Sequence, residues 1–206
     1  MELQFQGNRE NAQDIIRELE ETPEPEESYE EIMVAVHPGF CLTNQKYTDV
    51  DNLRREVYFQ HTLHMHRDME EAHSQGVPVD VVYRRHEGSE ARKYLGEHSE
   101  QVDNFIEGDY GTGFVTERKG QRSLAETVRK VEEGGKIDLY GEINGLCYTQ
   151  FEDLMREVSR QMEKEIEVNS ERPFPEKPLD RTQGVLHWEH DVPTYLKALE
   201  FKSAYR

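Results

Sequence analysis

Cys147 stands in the stretch Gly141-Glu142-Ile143-Asn144-Gly145-Leu146-Cys147, after a short apolar run, KIDLY, and before a segment patterned as a helix. A thiol at a helix start meets unpaired backbone N–H groups and the positive end of the macrodipole, which favour the thiolate. Gly141 and Gly145 permit a turn that aims those N–H groups at a substrate oxygen, with Glu142 and Asn144 as candidate substrate contacts. Free cysteine is also among the most buried residue types, so a packing role beneath the helix is the competing reading. His37, in VAVHPGF, is the candidate base for a Cys–His pair. Arg84, followed by Arg85 and His86, can hold an anionic group through two parallel N–H donors, or act as a structural ion-pair partner.

A second cluster is HTLHMHRDMEEAH, residues 61 to 73. On a helix His61, His64 and Asp68 share one face, and His66 and His73 share another. Imidazole and carboxylate together suit zinc or a related divalent ion, although no HExxH-type spacing is present and a solvated polar face explains the same residues. The pair in HWEH (187 to 190) has the same standing. Its Trp188, the only tryptophan, suits an anchor for the C-terminal segment. No GxGxxG or GxxxxGK[ST] occurs, so nothing points to a nucleotide, and no cofactor is expected beyond that candidate metal.

These residues need elements to hold them. IMVAV (32 to 36) is a continuous apolar run, as in a strand buried on both faces. A long helical stretch from Asp51 to Ser74 ends at Gly76, and VPVDVVY (77 to 83) reads as a second strand. RSLAETVRKVEEGG reads as a helix with Ser123 as N-cap and Gly134-Gly135 as its stop. KIDLYG follows as a strand, then a helix through residues 149 to 164, then the strand EIEVNS. Strands alternating with helices predict a three-layer α/β/α fold with a mainly parallel, Rossmann-like sheet. Ligands then bind beyond the carboxyl ends of the strands, which brings His37 with Cys41, Arg84, the loop before Cys147, and Asn169 with Ser170 to one edge. Around this domain (31 to 172), residues 1 to 30 read as an acidic helical arm or linker. Residues 173 to 206 read as a proline-rich extension that docks a short helix near 193 to 201.

Acidic residues number 43 against 25 basic ones, a net charge of −18. Such a surface repels nucleic-acid phosphates and anionic membranes, so the expected partner is a small molecule. Arginine outnumbers lysine 16 to 9, and the acid is spread along the chain. That pattern suits either a protein kept soluble in concentrated salt or an ordinary acidic one. No run reaches a membrane-spanning length and no secretory pattern opens the chain, which points to a cytoplasmic protein whose two cysteines stay reduced. The long helix, with Val57, Leu63 and Met69, could serve either the core or a homo-oligomer contact.

The order NLRREVYFQHTLHMHRDMEEAHSQGVPVDVVYRR, FIEGDYGTGF and LAETVRKVEEGGKIDLYGEINGLCYTQ resembles the isochorismatase-like cysteine hydrolases over roughly residues 31 to 170. Gly76-Val77-Pro78-Val79 matches the family's GxPV strand, and Gly141 and Cys147 keep the family spacing between a strand-ending glycine and the nucleophile. The resemblance implies an isochorismatase-like fold and a cysteine-dependent hydrolase of a small amide or related substrate. Only the cysteine of the family's Asp–Lys–Cys set is matched. His37 stands where the aspartate ends the first strand, and EGDYGTGF has Glu107 and Asp109 but no lysine. A non-catalytic relative that binds a small ligand or a protein through the same crevice is the alternative.

Overall fold

A computed structural model describes residues 2–37, 65–84, 92, 95–109, 113–141, 147–162 and 164–169. The strands are β1 (Tyr29–Val36), β2 (Val79–Arg84), β3 (Asn104–Gly108), β4 (Val131–Gly141) and β5 (Glu167–Asn169). The helices are α1 (Glu2–Glu21), α2 (65–74), α3 (Arg118–Lys130) and α4 (Cys147–Met162), with a 3-10 turn at Gly96–Gln101. All strand pairings are parallel, in the order β3-β2-β1-β4-β5. The fold is therefore the expected α/β class.

Central β1 has Ile32 to Val36 buried in unbroken succession, because helices cover both sheet faces. On one face Ile32, Val34, Val36, Val82 and Leu139 meet Ile15 and Leu19 of α1, Leu124 and Val128 of α3, and Phe151 and Leu154 of α4. On the other face Met33, Ala35, Val79, Val81 and Tyr140 meet Met65, Met69 and Ala72 of α2, together with Leu95. Each fully buried side chain of this size contributes about 1.5–3 kcal/mol of transfer free energy. α1, within the stretch read from sequence as an acidic helical arm or linker, buries Ala12, Ile15 and Leu19 in the main core. The proline-rich extension and the helix near 193 to 201 lie outside the described residues.

Gly76 ends α2 as expected. With φ at 75°, it donates to the His73 carbonyl at 3.1 Å while Val77 N donates to the Ala72 carbonyl at 2.9 Å. That is a Schellman turn, which needs a left-handed residue and so favours glycine.

Three local readings are corrected. α3 begins at Arg118, so Ser123 is interior rather than an N-cap. The helix ends at Lys130 rather than at Gly134, because Val131 turns extended (φ −73°, ψ 134°) and pairs with Tyr29. Residues between Val131 and Lys136 then form a bulge before the ladder resumes at Glu31 opposite Lys136. Finally, β3 adds a strand that the sequence pattern does not announce. It lies at the sheet edge, where it is only half covered, and Ile106 is its one fully buried apolar side chain.

Candidate functional site

β1 and β4 are neighbours, and of the described helices after them α2 lies on one face of the sheet and α4 on the other. At such a switch point of a parallel sheet, ligands bind beyond the carboxyl ends of the strands. Val36 and Gly141 are register partners at that edge.

His37 immediately follows Val36. Its N–H donates to the Val82 carbonyl at 2.8 Å, and its φ of 51° places a non-glycine residue in the left-handed region. That conformation costs roughly 1–2 kcal/mol. The residue is 5% exposed, and Nε2 has no hydrogen-bond partner. Burial, aided by the nearby charge of Arg84, pushes its pKa down to about 3. The ring is accordingly neutral near pH 7. It is also a poor proton acceptor, because the imidazolium would be buried beside a guanidinium. Arg84 closes β2, pairs with Gly108 and is 6% exposed.

Cys147 is the first residue of α4, as the thiolate argument requires of its position. No acidic residue lies in the helix's first turn to offset the positive end of its dipole. Gln150, one turn further, accepts from Gly113 N at 2.9 Å and so ties α4 to the connection after β3. The same connection is held from below by Asn11 of α1. That side chain donates to the Val115 carbonyl at 2.6 Å and accepts from Val115 N at 2.9 Å.

The two acids near the end of β3 are already engaged. Glu107 accepts from the Tyr83 hydroxyl at 3.1 Å and lies 3.6 Å from Lys119, and Asp109 accepts from Thr116 at 2.8 Å. Burial, together with the Glu107 contact, pushes Tyr83 up to about 12.

The structure brings His37 and Arg84 together and places Cys147 at a helix start on the same edge. Glu142, Asn144, Gly145, Cys41, Arg85, His86 and Ser170 lie outside the described residues. Asn169 ends β5, in register with Asp138. Of the candidate metal ligands, His61 and His64 lie outside the described residues, while Asp68 sits half-buried on α2. His66 stacks on His98 with ring centroids 4.4 Å apart. Its pKa is lowered to about 4, chiefly by burial and also by His98. His73 is exposed. Among the described residues no group of three His, Cys, Asp or Glu could hold a metal. HWEH lies outside them.

The opposite, amino edge of the sheet carries a cavity of about 470 Å³, lined by Tyr29, Glu31, Gly76, Glu132, Gly134 and Lys136 among others. The one cation of its lining, Lys136, is paired within the fold. Lys136 lies 2.8 Å from Glu31 and 3.3 Å from Asp138, and Glu132 accepts from Ser28 at 3.1 Å. The chemistry-bearing residues are at the other edge.

Four structurally important polar residues are not singled out by the sequence pattern: Asn11, Asp80, Asp138 and Gln150. VPVDVVY and KIDLY carry a signal, since an acid inside an apolar strand must be buried. No helix among the described residues is long and apolar enough to cross a membrane. No protein-family model, no curated protein and no solved structure matches the chain.

Proposed function

We propose that the protein binds a small anionic molecule in the crevice above β1 and β4. The observation that carries this reading is the buried His37–Arg84 pair at the carboxyl edge, with His37 Nε2 lacking a partner. A buried guanidinium offers charge-assisted hydrogen bonds to a carboxylate or phosphate, and a neutral imidazole can donate or accept one more. The helix that starts at Cys147 adds its N–H groups to the same edge. Any relationship to the isochorismatase-like proteins is then that of a ligand-binding relative.

Thermal unfolding of the full chain, in the presence of small carboxylates and phosphate esters at fixed ionic strength, tests this reading. A saturating anion should stabilise by about 2.7 kcal/mol at a hundredfold excess over Kd. Arg84→Gln should abolish that shift. If no anion in the panel shifts the unfolding of the wild type, the reading fails.

Cys147 at the first position of α4 favours a second reading, a cysteine-dependent hydrolase of a small amide or related substrate. In that case activation comes from the helix terminus and Arg84 rather than from proton transfer to His37. Rapid iodoacetamide labelling of Cys147 well below pH 8 supports it. Labelling that waits for unfolding makes Cys147 a packing residue and removes the hydrolase.

A further inference from the structure

The contact between α3 and the β2–β3 half of the sheet contains a carboxyl that the crevice does not use. Asp80, the second residue of β2, is 1% exposed. Its Oδ2 lies 2.5 Å from Thr127 Oγ1, and its Oδ1 has no hydrogen-bond partner. Thr127 Oγ1 is also 3.2 Å from the Ser123 carbonyl and accepts from Asn104 Nδ2 at 3.1 Å. Asn104 Nδ2 donates to the Ser123 carbonyl as well, at 2.8 Å. The charged groups that act on Asp80 are Lys130 and Glu126 on α3 and Asp103 just before β3, all through space.

A hydroxyl has one proton, so Thr127 can serve Asp80 or Ser123 but not both. When Asp80 is neutral, its Oδ2–H donates to Thr127 Oγ1 and the threonine proton goes on to the Ser123 carbonyl. Every donor is then placed. When Asp80 is ionised, Thr127 must turn its proton to Oδ2. A charge is left deep in the α3 contact with a single hydrogen-bond donor, a costly arrangement at this burial.

We propose that Asp80, Thr127 and Asn104 form a proton-operated latch that clamps α3 onto β2 and β3 while the carboxyl is neutral and slackens when it ionises. Burial raises the Asp80 pKa from 3.8 to about 7, against the opposing pull of Thr127 and Lys130. Below 3.8 the carboxyl is neutral whether α3 is docked or displaced, and the latch is at full strength. As pH climbs from there towards 7, only the displaced state ionises, so docking weakens by up to tenfold per pH unit. Above 7 both states are ionised and the dependence levels off. The direction is the reverse of that for a salt-bridged aspartate.

Hydrogen exchange of α3 amides in the full chain, referenced to α4 and corrected for intrinsic exchange, tests the latch from about pH 4.5 to about pH 8.5. The opening equilibrium of α3 should rise by up to tenfold per pH unit and flatten near pH 7, and Asp80→Asn should remove the slope. A pH-independent ratio in the wild type, or a slope that survives in Asp80→Asn, overturns the proposal. Should that variant fail to fold, carboxyl-labelled aspartate NMR of the wild type decides. One aspartate titrating near pH 7, and moving upward in Thr127→Val, supports the latch; all aspartates titrating below pH 5 overturn it.

Discussion

At the scale of single residues, His37 and Asp80 are buried titratable side chains whose pKa values are displaced in opposite senses. His37 has a folded pKa of about 3 against an ordinary 6.5. Its contribution to stability is present above pH 6.5 and is lost as the pH falls towards 3. Urea titrations should therefore show wild type losing stability relative to His37→Gln as pH falls from 6.5, by up to about 1.4 kcal/mol per unit. A difference that stays constant with pH would remove the buried neutral histidine. Asp80 acts the other way over an overlapping interval, so the two contributions oppose each other in the wild type and the variants separate them. Asn11 supplies a third prediction. Asn11→Ala leaves the N–H and C=O of Val115 unpaired in the core, a loss on the order of 3 kcal/mol in urea. Asn11→Asp keeps only the acceptor half of the clamp and recovers part of that at most.

At the scale of elements, how a segment reads in sequence depends on how completely it is covered. β1 and α4 are plain because their apolar residues follow burial on two faces and on one stripe respectively. β3 is obscure because an edge strand with one buried apolar residue looks like any mixed loop. The end of α3 is misplaced because glycines are strong stop signals, yet Val131, four residues before the pair's second glycine, is drawn into the ladder by Tyr29. The placement of His37, Arg84 and the helix start at Cys147 at the carboxyl edge is legible from the rule that binding residues follow parallel strands. The clamp from Asn11 is not, since its partner Val115 lies 104 residues away in sequence. Gly120 makes the closeness of α3 testable. Gly→Ala inside a helix ordinarily stabilises by up to about 1 kcal/mol. Here the added Cβ would collide with the Glu107 carbonyl oxygen and crowd Val115. Gly120→Ala should therefore destabilise in thermal melts, and a stabilised variant would show that α3 is not seated against β3.

At the scale of the whole molecule, the net charge of −18 opposes both folding and the approach of an anion to the crevice. Mobile ions shorten the reach of that repulsion to about 3 Å at 1 M. Stability should accordingly rise as KCl goes from low to molar concentration, and the association rate of an anionic ligand should rise with it. A melting temperature indifferent to KCl would leave the acidity as a matter of solubility alone. Many of the surface charges are already locally matched, as where Arg118 joins Glu18 at 2.7 Å and Glu21 at 2.6 Å. The salt response therefore reports the unmatched remainder.

The placement of α1 bears on how the chain is made. α1 is synthesised before α3 and α4, on which its apolar stripe rests and which follow it by about a hundred residues. The central strand β1 likewise waits for β4 before its second neighbour exists. At about 5–20 residues per second, Ala12, Ile15 and Leu19 stay uncovered for several seconds of synthesis. Nascent protein should thus depend on something that shields the sticky stripe of α1, and a copy whose synthesis stalls before α4 emerges should be the form that aggregates.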